Sequence, residues 1–150
     1  MAKREEVVRQ LTNAFWMEFE TVVNYVSISI DLDGVRAEEI KKALAADVTV
    51  EISHAQFLAK RIKELGGRVP GSMEFKPSQK YLQPPETTTD VVSVIEGVIK
   101  AEECAVAQYN KIIKMCDGID YVTQDLCIRL LADEEGHRTE FMGYLKEYKR

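Results

Sequence analysis

All four prolines of this chain (Pro70, Pro77, Pro84, Pro85) lie between Gly66 and Pro85, together with three of its eight glycines. Proline and glycine are the strongest local breakers of regular structure, so this stretch reads as a loop. Two tighter breaks flank it, Asp31-Leu-Asp-Gly34 and Asp117-Gly118-Ile-Asp120, each offering a glycine to end one helix and an aspartate suited to turn or cap positions. Four segments remain, about 4–32, 36–65, 89–117 and 121–148, all rich in helix formers. Each carries a seam of alternating three- and four-residue steps, the pattern of a bundle helix. The seams run Leu11, Phe15, Glu18, Val22, Tyr25, Ser29, Leu32; then Ile40, Leu44, Asp47, Glu51, His54, Leu58, Ile62, Leu65. The third and fourth run Val91, Ile95, Val98, Glu102, Ala105, Tyr109, Ile112, Cys116 and Thr123, Cys127, Leu130, Glu134, His137, Phe141, Tyr144, Tyr148.

Loop lengths set the topology. The first and second helices are joined tightly, as are the third and fourth, so each pair is antiparallel. A loop of roughly 20 residues reaches about 60–70 Å, whereas a 28-residue helix is about 42 Å long. The loop can therefore run the length of the bundle and start the third helix parallel to the second. The expected fold is all-α, one four-helix-bundle domain over residues 1–150 with a single long crossover between helices two and three.

Each seam should be apolar, yet each carries a carboxylate near its middle: Glu18, Glu51, Glu102 and Glu134. On two helices a histidine follows three residues later, giving Glu51-Ile-Ser-His54 and Glu134-Glu-Gly-His137. That spacing puts both side chains on nearly the same helix face, so all six groups meet at one level of the core. Burying four carboxylates without a partner costs several kcal/mol per ion. Two divalent cations neutralise them. Hard oxygen plus imidazole suits iron or manganese and argues against a thiolate zinc site. One glutamate from each of two helices plus Glu-x-x-His from each of the others is the ligand pattern of di-iron carboxylate bundles. A single Glu-x-x-His would be more often a surface pair; two, with seam glutamates in the remaining helices, are far more specific. Glu20, Glu103 and Glu135 fall off or beside the seams and read as surface charges or charges behind the ligands. Asp47, one turn before Glu51, is placed to accept a histidine N–H. Tyr25 and Tyr109 read as packing residues with hydrogen-bonded hydroxyls, with an electron-donor or gating role as the alternative.

These residues resemble the ferritin-like superfamily, close to bacterioferritins and Dps-like ferritins. The resemblance covers essentially the whole chain. Its most specific pieces are Glu18-x6-Tyr25, Glu51-x2-His54 running into Arg61-Ile-Lys-Glu-Leu-Gly-Gly-Arg-Val-Pro70, Ala101-Glu-Glu-Cys-Ala105, and Leu131-Ala-Asp-Glu-Glu-Gly-His137. It implies a dinuclear ferroxidase centre, with Glu51 and Glu134 bridging, Glu18 and Glu102 terminal, and His54 and His137 on one metal each. Fe(II) would be the substrate, O2 or H2O2 the oxidant, and storage or detoxification of iron under oxidative stress the purpose. A non-storage di-iron or di-manganese peroxidase or catalase is the alternative on the same scaffold.

The chain also departs from the family. Ile52 stands where bacterioferritins carry a haem-binding methionine, so haem is not expected. The Gly66–Pro85 loop has no cysteine to pair with Cys104. The chain stops soon after the fourth helix, without room for the fifth helix of 24-subunit ferritins, so a 12-subunit shell or a dimer is expected. Second apolar stripes on helix one (Trp16, Phe19, Val23, Val26, Ile30) and helix two (Ala45, Val48, Ile52, Ala55, Ala59) indicate a homo-oligomer, and the family's two-fold dimers use these helices.

The net charge of −5, with no basic stripe, argues against nucleic acid as a partner. No apolar run approaches membrane-spanning length and no signal-peptide pattern opens the chain, so a cytoplasmic location is expected. Cys104, Cys116 and Cys127 lack metal or redox spacing and read as reduced packing residues.

Overall fold

The computed structural model describes residues 2–149. Four helices carry the fold: α1 Ala2–Asp31, α2 Glu38–Glu64, α3 Val91–Cys116 and α4 Tyr121–Tyr148. Short 3-10 turns lie at Val35–Ala37 and Ser72–Glu74, so α2 begins slightly later than its seam suggested. The ends are cut by specific chemistry. Asp90 caps α3 by accepting the Ser93 N–H at 3.1 Å, and Asp120 caps α4 by accepting that of Thr123 at 3.0 Å. At the end of α2, Gly66 adopts φ 83°, and the Gly66 and Gly67 amides donate back to the carbonyls of Lys63 and Ile62. Only glycine takes that left-handed turn without strain.

Cross-helix contacts fix the directions. Gln10 meets Gln108, Glu18 meets Tyr109 and Tyr25 meets Glu102, so α1 and α3 are antiparallel. Asp47 meets His137 and Arg61 meets Asp120, so α2 and α4 are antiparallel too. Helices α2 and α3 therefore run parallel, as the long crossover requires.

That crossover is fastened along α1. Gly67 abuts Val8, the Phe75 ring lies 5.0 Å from that of Trp16, and the Asp33 amide donates to Thr88 at 2.9 Å. Midway sits Glu20. It is not a surface charge: it is buried, and its carboxylate accepts the backbone N–H groups of Ser78 at 2.9 Å and Gln79 at 2.7 Å. On α3, a Cβ at Gly97 would collide with the Tyr81 carbonyl, so the backbones approach there as only glycine permits.

Two apolar clusters fill the core. One is built on Leu11, Leu58, Ile112 and Leu130, the other on Ile28, Leu44, Ile95 and Phe141. Between them lies a layer containing Glu18, Glu51, His54, Glu102 and Glu134, all buried. On α1 the buried track passes through Thr21 and Ile28, with Val22 and Ser29 half-buried beside it. The outer stripes are also narrower than the sequence suggested. Ala55 is fully buried and Trp16 packs against Phe75, leaving Val23, Val26 and Ile30 as the exposed part on α1.

Candidate metal centre

Side chains from all four helices enter the polar layer. Glu18, Glu51, His54 and Glu134 form one group and Glu51, Glu102, Glu134 and His137 another; within each, one donor atom per residue lies within 4.8 Å of all the others. Glu51 and Glu134 belong to both. Donors bonded to one cation at about 2.1 Å stand about 3 Å apart, so each group is near the spacing an ion needs.

His54 Nδ1 lies 2.9 Å from Glu134 Oε1, 3.5 Å from Glu18 Oε2 and 3.6 Å from Glu51 Oε2. Its Nε2 meets Asp133 Oδ2 at 2.8 Å. His137 Nδ1 lies 3.3 Å from Glu51 Oε1, 3.7 Å from Glu134 Oε2 and 3.8 Å from Glu102 Oε1, while its Nε2 faces Asp47 Oδ1 at 3.6 Å. The tyrosines reach across the bundle. Tyr109 donates its hydroxyl to Glu18 at 2.7 Å, and Tyr25 donates to Glu102 at 3.0 Å.

Without cations, protons hold this layer together. Burial and the neighbouring Glu134 and Glu51 push Glu102 up to about 12, and burial also raises Glu51. Burial opposes the charge on His54, but hydrogen bonds to Glu134 and Glu51 win and hold it at about 11. Burial likewise opposes the charge on His137, but the carboxylates of Glu134, Glu51 and Asp47 around it outweigh burial and hold it at about 10. Glu134 moves the other way: burial disfavours its charge, yet the protons on Glu102, His137 and His54 around it keep it ionised below the usual range. Burial, reinforced by the carboxylates, raises both Tyr25 and Tyr109 well above 10, so each hydroxyl stays a donor.

The protons do not satisfy every atom. Among the described residues, five buried side-chain atoms lack a hydrogen-bond partner: Glu18 Oε2, Asp47 Oδ2, Glu51 Oε1, Glu102 Oε2 and His137 Nδ1. Each such atom costs about 1–3 kcal/mol. Four of the five belong to the six sequence-derived residues, and acceptor oxygens beside an imidazole nitrogen suit hard divalent ions. The residues present therefore fit a pair of such ions.

All six candidates meet in one layer. Glu103 and Glu135 are exposed and stand apart from it, and Asp47 faces His137 Nε2 at 3.6 Å, too long for the hydrogen bond expected of it. Asp133 was not foreseen. It adjoins a seam glutamate, and only the cross-helix register reveals it beside His54. The cysteines are free; Cys116 and Cys127 are fully buried, and burial raises them to about 11 and about 12, which keeps them as thiols.

The sequence matches the model of the ferritin-like domain over residues 8–150. The chain belongs to the ferritin-like family. It is 30% identical over 142 residues to the DNA protection during starvation protein of Pyrococcus furiosus, an alignment covering 91% of this chain and 75% of that one. Its fold is similar to that of a dodecameric thioferritin, the bacterioferritin-related protein of Bacteroides fragilis. The TM-score is 0.85 at 26% identity, covering 98% of this chain and 88% of the other. It is similar also to the bacterioferritin of Desulfovibrio desulfuricans, solved with its diiron site in different catalytic states. There the TM-score is 0.82 at 26% identity, covering 99% and 82%. This ferritin-like chain thus combines its family's four-helix bundle with a buried carboxylate–histidine cluster.

Proposed function

We propose that the chain is a ferroxidase that oxidises Fe(II) with O2 or H2O2 and passes the Fe(III) product to storage. Glu51 and Glu134 would contribute to both iron positions, Glu18 and Glu102 would each help hold one, and His54 and His137 would complete one each. The observation carrying this reading is that four of the five orphaned buried atoms belong to residues of the two overlapping donor groups. When bound, the iron pair supplies the two electrons that reduce the oxidant, and four carboxylates favour its more positive product.

The protein's own residues do the rest. Glu51 and Glu134 fix the separation of the two positions because each lies in both groups. Tyr109 and Tyr25 orient the terminal carboxylates, and Asp133 orients the His54 imidazole from behind. Each histidine gives up a proton as an ion binds, and the flanking apolar clusters keep bulk water from the layer. For assembly, the exposed strip Val23, Val26 and Ile30 supports a two-fold dimer through α1 and α2. Such dimers are the units of a 12-subunit shell.

Fe(II) loss in air, followed together with native mass and metal content, tests the reading. Wild type is expected to bind two irons per chain and to consume Fe(II) rapidly as a shell. Unchanged rates in both Glu51→Ala and His137→Ala would remove the site assignment. A dimer that turns over peroxide without accumulating iron would instead identify a non-storage peroxidase.

A further inference from the structure

The histidines occupy the α2–α4 side of the cluster, and the apolar clusters close its two ends. The α1–α3 side is different. There a small cavity reaches the carboxylates themselves: Glu18, Glu51, Glu102 and Glu134 border it on one side, and Met17, Thr21 and Gln79 on the other. Ala101 and Ala105 of α3 leave the space open. It offers about 10 Å³, room for about one water-sized molecule. Neither histidine borders it.

Outside this cavity lies a second, of about 490 Å³, open to solvent and bordered by Asn13, Trp16, Met17, Glu20, Lys76 and Ser78. Met17 borders both cavities, and Ser78 of the outer one precedes Gln79 of the inner one. Met17 and the Ser78–Gln79 segment therefore stand between the two cavities. Gln79 is a polar residue of the crossover carried 97% out of solvent contact. Its amide donates to the Thr21 hydroxyl at 2.8 Å and accepts from Asn24 at 3.0 Å, both neutral partners on α1. The Glu20 charge that faces the outer cavity is engaged by the Ser78 and Gln79 amides, which fix the loop backbone while leaving the Gln79 side chain to neutral bonds.

From this geometry we infer that Gln79, with Met17, is a gate through which a small neutral oxidant of two heavy atoms reaches the metal pair. The inference rests on the proposed di-iron reading. Neutral bonds to a hydroxyl and a carboxamide can be exchanged for bonds to water as the side chain swings outward. Methionine is the most adaptable of apolar side chains and yields without repacking its helix. The inner space holds about one water, so a molecule of two heavy atoms enters only as these side chains yield, and a cation with its water shell is far too large for it. On the α2–α4 side a separate open cavity of about 430 Å³ is bordered by His54 and Asp133, and it would give cations their own approach. The chain thus separates the path of the oxidant from that of the metal.

Nitric oxide, a neutral diatomic, is the probe. The anaerobic Fe(II)-loaded protein is mixed with it, and binding is followed by stopped-flow absorbance in wild type, Gln79→Ala and Met17→Ala. Opening a gate speeds entry and exit alike, so in both variants the association rate is expected to rise about tenfold or more with Kd within about threefold. Fe(II) stoichiometry and uptake rate are expected to stay at wild-type values. In crystals of metal-free Gln79→Ala, a file of ordered water is expected to join the outer cavity to the inner one. Met17→Ala leaves the loop's hydrogen bonds in place, so it decides the matter should Gln79→Ala fold poorly. Two bound irons with unchanged nitric oxide rates overturn the gate alone. Absence of bound iron in wild type overturns the di-iron reading, and the gate with it.

Discussion

His54 and His137 occupy equivalent places, each three residues after a glutamate common to both donor groups, yet their surroundings differ. Both nitrogens of His54 are engaged, at 2.9 Å by Glu134 and 2.8 Å by Asp133. His137 has no contact shorter than 3.3 Å among its carboxylate neighbours, and its Nδ1 is an orphan. Glu51 Oε1 and Glu102 Oε2 are orphans in the same half, whereas Glu18 Oε2 is alone in the other. One half is already satisfied by a proton held between His54 and Glu134. The other carries the unmet demand. The two proposed metal positions are therefore expected to differ in affinity, with the first ion in the His137 half, where it would relieve three unpaired atoms rather than one.

The largest effect comes from erasing the comparison. Glu51 serves both halves, so Glu51→Ala is expected to take metal content from two ions per chain to fewer than one. Its ferroxidase rate is expected to fall about 100-fold or more, read by metal analysis and Fe(II) absorbance. Retention of two tight ions would disprove its bridging role.

Next come the two histidines. His137→Ala is expected to abolish the tighter of two calorimetric Co(II) binding phases, and His54→Ala the weaker. The reverse pattern would invert the order of filling.

A third test uses protons. In the metal-free chain, His54 and His137 hold protons more tightly folded than unfolded. Their contribution is complete below the unfolded value of 6.5 and is lost as pH rises toward about 10 and about 11. Glu102, at about 12 against an ordinary 4.5, acts in the same direction from lower pH upward, and Glu134 opposes it only below 4.5. Melting temperature of the metal-free chain is thus expected to fall from about pH 5 to about pH 9, while added metal stabilises more as pH rises. A flat difference between loaded and metal-free melting curves would refute the exchange of protons for ions.

The smallest expected effects concern the tyrosines. Tyr109→Phe and Tyr25→Phe should weaken metal binding by about 10-fold, the scale for residues that orient ligands from behind, with Tyr109 costing more because its bond is shorter. Equal affinity in wild type and both variants would reduce them to packing.

The six cluster residues were legible because a carboxylate in an apolar seam violates the pattern around it, and the Glu-x-x-His spacing places two groups on one face. The parallel arrangement of α2 and α3 was anticipated from the crossover's reach, which permits it, and from the tight loops that make each helix pair antiparallel. Glu20 was misread because seam logic weighs a side chain only against its own bundle, and its partners are amides of a loop without periodicity. Gln79 and Asp133 escaped for a related reason. One is an ordinary polar residue in an irregular segment, and the other is a surface aspartate until α2 and α4 are set in register. The pairing of Tyr25 with Glu102 and of Tyr109 with Glu18 likewise exists only in three dimensions, although both hydroxyls were expected to find partners.

The packing between α1 and α2, and between α3 and α4, is extensive, whereas α2 and α4 touch sparingly. Each half of the chain is thus a local hairpin with short loop closure, and the crossover tethers the two. The first hairpin brings Glu18, Glu51 and His54 to the junction, and the second brings Glu102, Glu134 and His137. The hairpins are expected to form quickly and then to meet across the buried polar layer, which makes docking the expected slow step of the metal-free chain. Divalent ions present during refolding should act as rivets, accelerating that step and leaving hairpin formation untouched.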